Sequence, residues 1–323
     1  MTAAIDTPRP FRQRGVVLVT AVLIMAIVAA IATTLALGQQ VWLRQTENLN
    51  ERAQIDSLRY SALDWVSILL TRAAKNRNPQ VDSLDQPWAK QLPPLPTEGG
   101  TITAAIRDAQ GLFNLNNLVR NNQPSPPDID MFRRLLVAQS IDPSLADALV
   151  DWMDADQTPL PGGAEDTFYQ ALQPPYRAAN QALTSVDELR LIKGFTPKIV
   201  EQLRPMVVVL PEATMINVNT TVEPVLAALF PNGPTGALQT ILKNRETQPF
   251  KDIAQFIQQA ASGPAPVGID TKTHYFLVTI GIRFGRLDSR SEALIQRPEG
   301  KSATVLWHRL NPLQPILKSD EQT

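Results

Sequence analysis

The chain has 323 residues, which is enough for two packed domains with appendages. Its 30 basic and 31 acidic residues nearly cancel, so no overall field favours a nucleic acid or an anionic membrane surface. The absence of cysteine excludes disulfides, thiolate metal sites and a cysteine nucleophile. The 27 prolines exceed the average frequency of about 5% and indicate punctuated connections in a globular protein. Partners and sites must therefore be sought in local features.

An uncharged apolar segment, residues 16–38, follows a basic N-terminus. At about 1.5 Å per helical residue this segment is long enough to cross a hydrocarbon core of about 30 Å. Arg9, Arg12 and Arg14 precede it and only Asp6 opposes them, so the positive-inside rule predicts a cytoplasmic N-terminus. A secretory signal would have a shorter apolar region that ends at a cleavage site. On hydropathy alone, a plain single-pass anchor is the simplest interpretation.

Two further features of this segment point to a known class of protein. Gly15 lies directly between the basic patch and the apolar run, and residues 39–74 continue at near-helical spacing without proline or glycine. This pattern resembles the class III signal of type IV pilins and type II secretion pseudopilins. The resemblance implies that a prepilin peptidase cleaves after Gly15 and that the new amine of Val16 is methylated. The apolar helix would then stay as a packing element of a filament in the bacterial inner membrane.

Thr20 occupies the fifth mature position, where most of these proteins carry a glutamate that pairs with the N-terminal amine of a neighbouring subunit. An intramembrane carboxylate costs several kcal/mol unless it is paired, so a subunit without a neighbour on that side has no use for one. Within the family, the member that lacks this glutamate is typically the K-type minor pseudopilin, which is assigned to the filament tip.

The rest of the chain alternates between strand-like and helical patterns. A proline-rich loop leads to TITAAIRD, which alternates as a half-buried strand does, and AQGLFNLNNL follows with a turn signal. Three strand patterns then end the chain after residue 264 as an antiparallel meander. Between them the pattern predicts helices over Ile129 to Ser140, Pro143 to Met153, Val186 to Ile192, Pro197 to Met206, Val222 to Phe230, Gly236 to Asn244 and Asp252 to Ala260.

This order predicts an α+β fold in which a long N-terminal transmembrane helix packs on an antiparallel sheet and a large all-helical domain is inserted. That is the pilin fold with the insertion that K-type pseudopilins carry. The predicted parts are a leader (1–15), the transmembrane (16–38) and periplasmic (39–77) portions of the helix, a pilin-like domain (78–123 and 264–310), an inserted helical domain (124–263) and a C-terminal tail (311–323).

The stretch ALVDWMDADQTPLPGGAEDTFY lies in an acidic region, since no basic residue occurs between Arg134 and Arg177. Crowded carboxylates repel one another unless a cation intervenes, and calcium takes six to eight oxygen ligands. Residues 159–163 can fold the later acids back toward the earlier ones. The possible calcium ligands are Asp151, Asp154, Asp156, Glu165 and Asp166, with Asp142 and Asp147 nearby.

The spacing of these acids leaves two interpretations open. DxxDxD lacks the central glycine and terminal glutamate of an EF-hand, and a solvated acidic face with helix-capping aspartates would look similar. The DW-D-D…P-G-AED-Y pattern resembles the signature stretch of K-type pseudopilins, in which calcium is associated with carboxylates. The resemblance therefore implies a structural calcium site.

Two segments, LTSVDELRLIKGFTPKIVEQL and residues 216–257, resemble helix-hairpin-helix units and suggest the alternative of a membrane-tethered DNA-binding receptor. Affinity for DNA depends on clustered basic charge, and here Lys243, Arg245 and Lys251 are matched by nearby acids. The hairpin PNGPTG also carries prolines where backbone amides would be needed. We therefore expect these units to serve packing or protein contact, with no nucleic acid as partner.

An envelope hydrolase that uses the acidic cluster is a third interpretation. No nucleophile, histidine or arginine clamp accompanies the acids, and His274 and His308 fall in the C-terminal strand region. We therefore expect no catalytic residues. The resemblance implies instead a type II secretion minor pseudopilin that starts pseudopilus assembly with I-type and J-type minor pseudopilins and supports the export of folded proteins.

Overall fold

A computed structural model describes residues 14–76, 81–231, 237–260, 266–285 and 287–310. The leader before residue 14, most of the hairpin PNGPTG and the C-terminal tail lie outside the described residues. The chain divides into two units, residues 1–57 and 58–323.

The first unit consists of the N-terminal part of one helix, α1 (Arg14–Asn76), which has 63 residues. The helix is uninterrupted because it contains no proline. Between residues 16 and 37 its large apolar side chains are 51–68% exposed. Among the described residues this is the one helix long and apolar enough to cross a membrane. The predicted continuous helix is confirmed.

The second unit contains one five-stranded antiparallel sheet in the order β1-β2-β9-β10-β11. The remaining strands are two-residue segments that pair outside this sheet. The strands are β1 (Leu95–Thr97), β2 (Gly100–Asp108), β3 (Phe113–Asn114), β4 (Val119–Arg120), β5 (Gln123–Pro124), β6 (Val207–Val208), β7 (Ile216–Asn217), β8 (Ile269–Asp270), β9 (Tyr275–Phe284), β10 (Leu287–Gln296) and β11 (Thr304–Leu310).

The C-terminal part of α1 packs on this sheet. Ala62, Leu63, Val66 and Leu70 are buried and recur at the spacing of one helix face. Polar contacts fix the same packing, since Arg59 donates to Ser289 Oγ (3.0 Å) and the Ala303 amide donates to Thr71 Oγ1 (2.9 Å). The helix-on-sheet arrangement predicted from the sequence is confirmed.

The helices of the insert lie between two strands that are neighbours in the sheet. β2 and β9 pair along their length, from Gly100 with Phe284 to Asp108 with Phe276, although residues 109–274 separate them in the chain. The connection builds its own apolar core, which extends from Phe113 to Ile269. Its helices are α2 (Pro126–Ala138), α3 (Leu145–Met153), α4 (Asp166–Gln170), α5 (Pro197–Leu203), α6 (Glu223–Ala228), α7 (Ala237–Thr247) and α8 (Ile253–Ala260).

Two of the sequence-based expectations for the insert need correction. Residues Val186–Leu191 form a 3₁₀ helix instead of the predicted α-helix, because a capping box at Ser185 and Glu188 is followed at once by the turn into α5. The short helix α4 was not predicted, since five residues are too few for a periodic signal. Otherwise each predicted helix has an observed counterpart within a few residues.

Buried amides and acids join the insert to the sheet. Two-residue parallel ladders, β3 with β6 and β7 with β8, lie at this junction. Asn217 Nδ2 donates to the Asp82 carbonyl (3.0 Å) and to Asp108 Oδ2 (2.8 Å). Asp82 is in turn paired with Arg297 at 2.7 Å, and both of these side chains are buried. The junction is therefore polar, although an apolar core lies beyond it.

Asp108 is a buried carboxyl at this junction. It accepts hydrogen bonds from the Gln110 amide (2.7 Å), Asn217 Nδ2 (2.8 Å) and Thr220 Oγ1 (2.6 Å). Burial raises the pKa of Asp108 to about 6, and the charge of Asp82 adds to the rise while the hydrogen bonds oppose it. The folded state therefore favours the protonated acid.

Because the folded-state pKa exceeds the unfolded value of about 3.9, the unfolded chain releases this proton first. Stability from Asp108 is thus present below pH 4 and is lost as the pH rises through about 6. We predict that the free energy of unfolding of the wild type falls by about 3 kcal/mol relative to Asp108→Asn over this range. Urea unfolding of both proteins between pH 4 and 7 measures this difference. If the two free energies of unfolding change with pH in the same way, the prediction is wrong.

Candidate metal centre

Three carboxylates converge where α3 ends and α4 begins. Asp154, Asp156 and Glu165 each place one carboxylate oxygen within 4.8 Å of the others. Asp154 is the residue that ends α3, and its amide donates to the Val150 carbonyl (2.9 Å). Asp154 and Glu165 are buried, whereas Asp156 is exposed. The group has one open side and two buried walls.

Asp151 shapes the loop that brings Glu165 back to Asp154. Its carboxylate accepts from the Leu160 amide at 3.1 and 3.2 Å and also from the Ala164 amide. The backbone at Gly163 approaches it so closely that a Cβ there would lie 1.8 Å from Asp151 Oδ2. Only glycine fits this contact. The glycine pair of the sequence motif therefore allows the loop to close on the acid.

Asp156 accepts a hydrogen bond from the Thr158 amide (2.7 Å), whereas oxygens of the two buried acids lack internal partners. Both carboxylate oxygens of Glu165 and one of Asp154 are buried without a hydrogen bond among the described residues. Burial, followed by the charges of Asp151, Asp154 and the nearby acids, raises the pKa of Glu165 to about 7. Buried ionised carboxylates without a partner are costly. This donor set, all oxygen and partly open, suits a hard divalent cation such as calcium.

The other acids of the cluster have partners of their own. Asp147 pairs with Arg133 at 2.6 Å and accepts from the Gly162 amide at 3.1 Å. Asp166 accepts from the Ala178 amide (3.0 Å) and lies 3.9 Å from Arg177 Nε. The loop thus places Glu165 beside Asp154 and Asp156, whereas Asp166 faces Ala178 and Arg177. Asp142 is exposed and accepts from the Ser144 amide (2.9 Å).

An aromatic wall that sequence reasoning did not anticipate packs beside the trio. The rings of Trp152 and Tyr169 meet edge to face at 5.0 Å, and Tyr169 stacks on Tyr176 at 5.3 Å. Trp152 and Tyr169 belong to the DW and TFY parts of the motif, so their position in the pattern was a usable signal. The charges of Asp151 and Glu165 act on Tyr169, so the aromatic residues lie close to the acidic centre.

The histidines and one basic residue named in the sequence lie away from this centre. His274 Nδ1 lies 3.3 Å from the Arg297 carbonyl, and the His308 ring packs on Tyr60 at 5.5 Å. Arg245, from the second helix-hairpin-helix-like unit, is buried and donates to the Val218 and Thr221 carbonyls. Its guanidinium is directed into the protein and away from any phosphate outside.

At the other end of the chain, Thr20 lies in the exposed apolar part of α1. Its hydroxyl donates to the Val17 carbonyl of its own helix at 3.0 Å. The polar group of this side chain is therefore satisfied locally, and the position carries no charge.

A long apolar N-terminal helix, an antiparallel sheet and a helical insert between adjacent strands define a pilin-like α+β protein. Two models of the family "Type II secretion system (T2SS), protein K" match the chain, one over residues 111–212 and the other over residues 216–275. The type II secretion system protein K of Pseudomonas aeruginosa is 34% identical over 306 residues, 91% of each chain. That of Aeromonas hydrophila is 31% identical over 330 residues, 93% of this chain and 97% of its own.

A solved structure agrees with these matches. One chain of the crystal structure of the GspK-GspI-GspJ complex from the enterotoxigenic Escherichia coli type 2 secretion system matches with a TM-score of 0.73 and 26% identity. The match covers 83% of this chain and 99% of that one. The chain belongs to the type II secretion system protein K family and is a minor pseudopilin, a structural component of the secretion machinery rather than a member of a known enzyme family. Its apolar helix fits single-pass anchoring in the inner membrane.

Proposed function

We propose that this minor pseudopilin occupies the tip of the type II secretion pseudopilus, where it starts assembly together with I-type and J-type minor pseudopilins. The observation that carries the proposal is the match over 99% of a chain that is crystallised in a GspK-GspI-GspJ complex. A subunit that starts a filament supports the export of folded proteins mechanically, by providing the first platform to which further pseudopilins add.

Thr20 supports a place for this subunit at the filament tip, where no neighbouring subunit lies beyond it. A carboxylate at this point of the apolar segment costs about 2.5 to 3.5 kcal/mol unless a neighbouring amine pairs with it. The threonine hydroxyl avoids that cost, since it donates to its own helix. A subunit at the tip can therefore be inserted without a partner for this position.

The helical insert supports the same position. It connects two adjacent strands of the sheet and adds a separate apolar core to the pilin-like base. A body of this size above the sheet would block the addition of another subunit on that side. The insert therefore acts as the cap of the filament.

Processing and topology follow from the segment that precedes the helix. A prepilin peptidase cleaves after Gly15, Val16 receives the methyl group, and the N-terminus faces the cytoplasm while the rest is periplasmic. The basic residues before the apolar run support this orientation. The mature helix then begins within the exposed apolar surface of α1.

Calcium is the cofactor that the acidic centre would hold. Asp154, Asp156 and Glu165 supply carboxylate oxygens, and Asp151 holds the loop that aligns them. The metal supplies positive charge to the buried oxygens of Asp154 and Glu165, which lack a hydrogen-bond partner among the described residues, so its role is structural. The centre stabilises the return of the chain from α3 to α4 inside the insert.

The tip assignment predicts a specific response to Thr20→Glu. The new carboxylate has no amine above it, so the unpaired acid should lower incorporation and reduce secretion of a folded substrate. Thr20→Ser, which keeps a hydroxyl and no charge, is the matched control and should secrete as the wild type does. Immunogold labelling of sheared filaments should place the protein at one end. Label along the filaments, together with a Thr20→Glu protein of wild-type activity, would refute the assignment.

The calcium assignment predicts a thermal shift that depends on Glu165. At calcium concentrations of about 100 times the dissociation constant, binding adds about 2.7 kcal/mol and raises the melting temperature by several degrees over the value in chelator. Glu165→Gln removes the buried charge, so it should melt at or above the wild type in chelator and respond little to calcium. Asp142→Asn, in an exposed acid outside the trio, should respond as the wild type does. An equal response of wild type and Glu165→Gln would exclude this site.

A further inference from the structure

The hairpin of the first helix-hairpin-helix-like unit contacts the loop of the metal centre. This hairpin, residues 192–195, joins the 3₁₀ helix Val186–Leu191 to α5. The Lys193 amide donates to Tyr169 Oη (3.3 Å), and Lys193 Nζ donates to the Gly163 carbonyl (2.8 Å). The ammonium also lies 5.4 Å above the Phe168 ring. The lysine that would face a phosphate in a DNA-binding unit is directed into the protein here.

Contacts on either side of Lys193 fix the hairpin in place. Gly194 has a φ of +83°, and a Cβ there would lie 2.4 Å from Leu145 Cδ2. The Leu191 carbonyl accepts a hydrogen bond from Tyr176 Oη at 2.8 Å. The hairpin therefore needs glycine both for its backbone conformation and for its approach to α3. These contacts tie the hairpin to the start of α3 and to the segment that follows α4.

The Gly163 carbonyl that Lys193 binds belongs to the peptide that arranges the acids. The α-carbon of Gly163 lies against the carboxylate of Asp151, and Glu165 follows two residues later. If this peptide turned, Glu165 would move relative to Asp154 and Asp156. A hydrogen bond from a charged donor is stronger than one between neutral groups, so Lys193 resists that turn.

We infer that Lys193 is a positioning residue of the metal centre, through which calcium binding and the ordering of the helix-hairpin-helix hairpin stabilise each other. The inference rests on the proposed calcium site. By linkage, a hairpin that favours the binding geometry must itself become more ordered when calcium binds. The hairpin that grips nucleic acid in other proteins thus acts here as an internal brace for a cation.

Lys193 has two effects of opposite sign on calcium. Its positive charge repels a divalent cation, so loss of the charge alone would tighten binding. Its hydrogen bond holds the Gly163 peptide, so loss of the bond would weaken binding. Lys193 is only half-buried and the charge is screened by solvent, whereas the hydrogen bond acts directly on the peptide next to the ligands. The positioning effect therefore prevails.

Calorimetric titration of calcium chloride into the full-length protein in detergent separates these effects. Lys193→Met keeps an unbranched apolar stem but removes the terminal charged donor, and we expect calcium to bind about tenfold more weakly. Lys198→Met, in an exposed lysine of α5, is the matched control and should bind as the wild type does. Lys193→Arg keeps a donor and should recover part of the affinity.

Hydrogen exchange of the wild type provides a test that needs no variant. Calcium should slow exchange at the Lys193 amide and in the neighbouring hairpin. The inference would be overturned, with the calcium site intact, if Lys193→Met bound calcium as tightly as the wild type or more tightly. It would also be overturned if calcium left the hydrogen exchange of the hairpin unchanged. A wild type that takes up no calcium would overturn both.

Discussion

The insert buries the carboxylates of Asp154 and Glu165, and this burial is the electrostatic constraint on which the proposed metal centre rests. Among the described residues, oxygens of both acids are buried without a hydrogen bond, although Asp147 and Asp166 in the same segment have basic partners. The chain thus satisfies the outer acids internally, whereas the unpartnered oxygens of the inner acids are the basis of the proposed calcium site. Three further features belong to the same segment: the close approach of Gly163 to Asp151, the contact between Trp152 and Tyr169, and the hydrogen bond from Lys193 to the Gly163 carbonyl.

The pilin-like part of the molecule, which forms the base below the insert, is stabilised by a different interaction. Long antiparallel strands and a helix with one buried face form the pilin-like part, where apolar burial dominates. Between the base and the insert the chain uses amide and carboxyl side chains, with Asn217 bridging Asp82 and Asp108. Polar joints of this kind require every donor and acceptor to be placed, so they specify one orientation of the backbone that passes through them. The insert therefore has a defined attachment to its base.

The sequence predicted the long elements of the fold, in which the apolar pattern repeats several times. The helix through residue 76 and the four long strands of the sheet have repeating apolar positions, and local pattern suffices for them. The prediction of a loop was wrong at Leu95–Thr97, because this short strand (β1) carries a proline and is defined by its pairing with β2. The two-residue parallel ladders escaped prediction because they pair residues far apart in the chain, such as Phe113 with Val207. The density of acids identified the metal-centre segment. Which of Glu165 and Asp166 would face Asp154 depended on the path of the loop, and the inward direction of Lys193 had no signal in charge patterning.

Crystals of the protein grown with calcium chloride, measured for the anomalous scattering of calcium, test the metal centre most directly. The structure predicts an anomalous peak bounded by the carboxylates of Asp154, Asp156 and Glu165, with the Lys193 ammonium still on the Gly163 carbonyl. Anomalous density at Asp142 or Asp166 alone, or no density within the insert at saturating calcium, would contradict the claim that this acidic centre is a structural cation site.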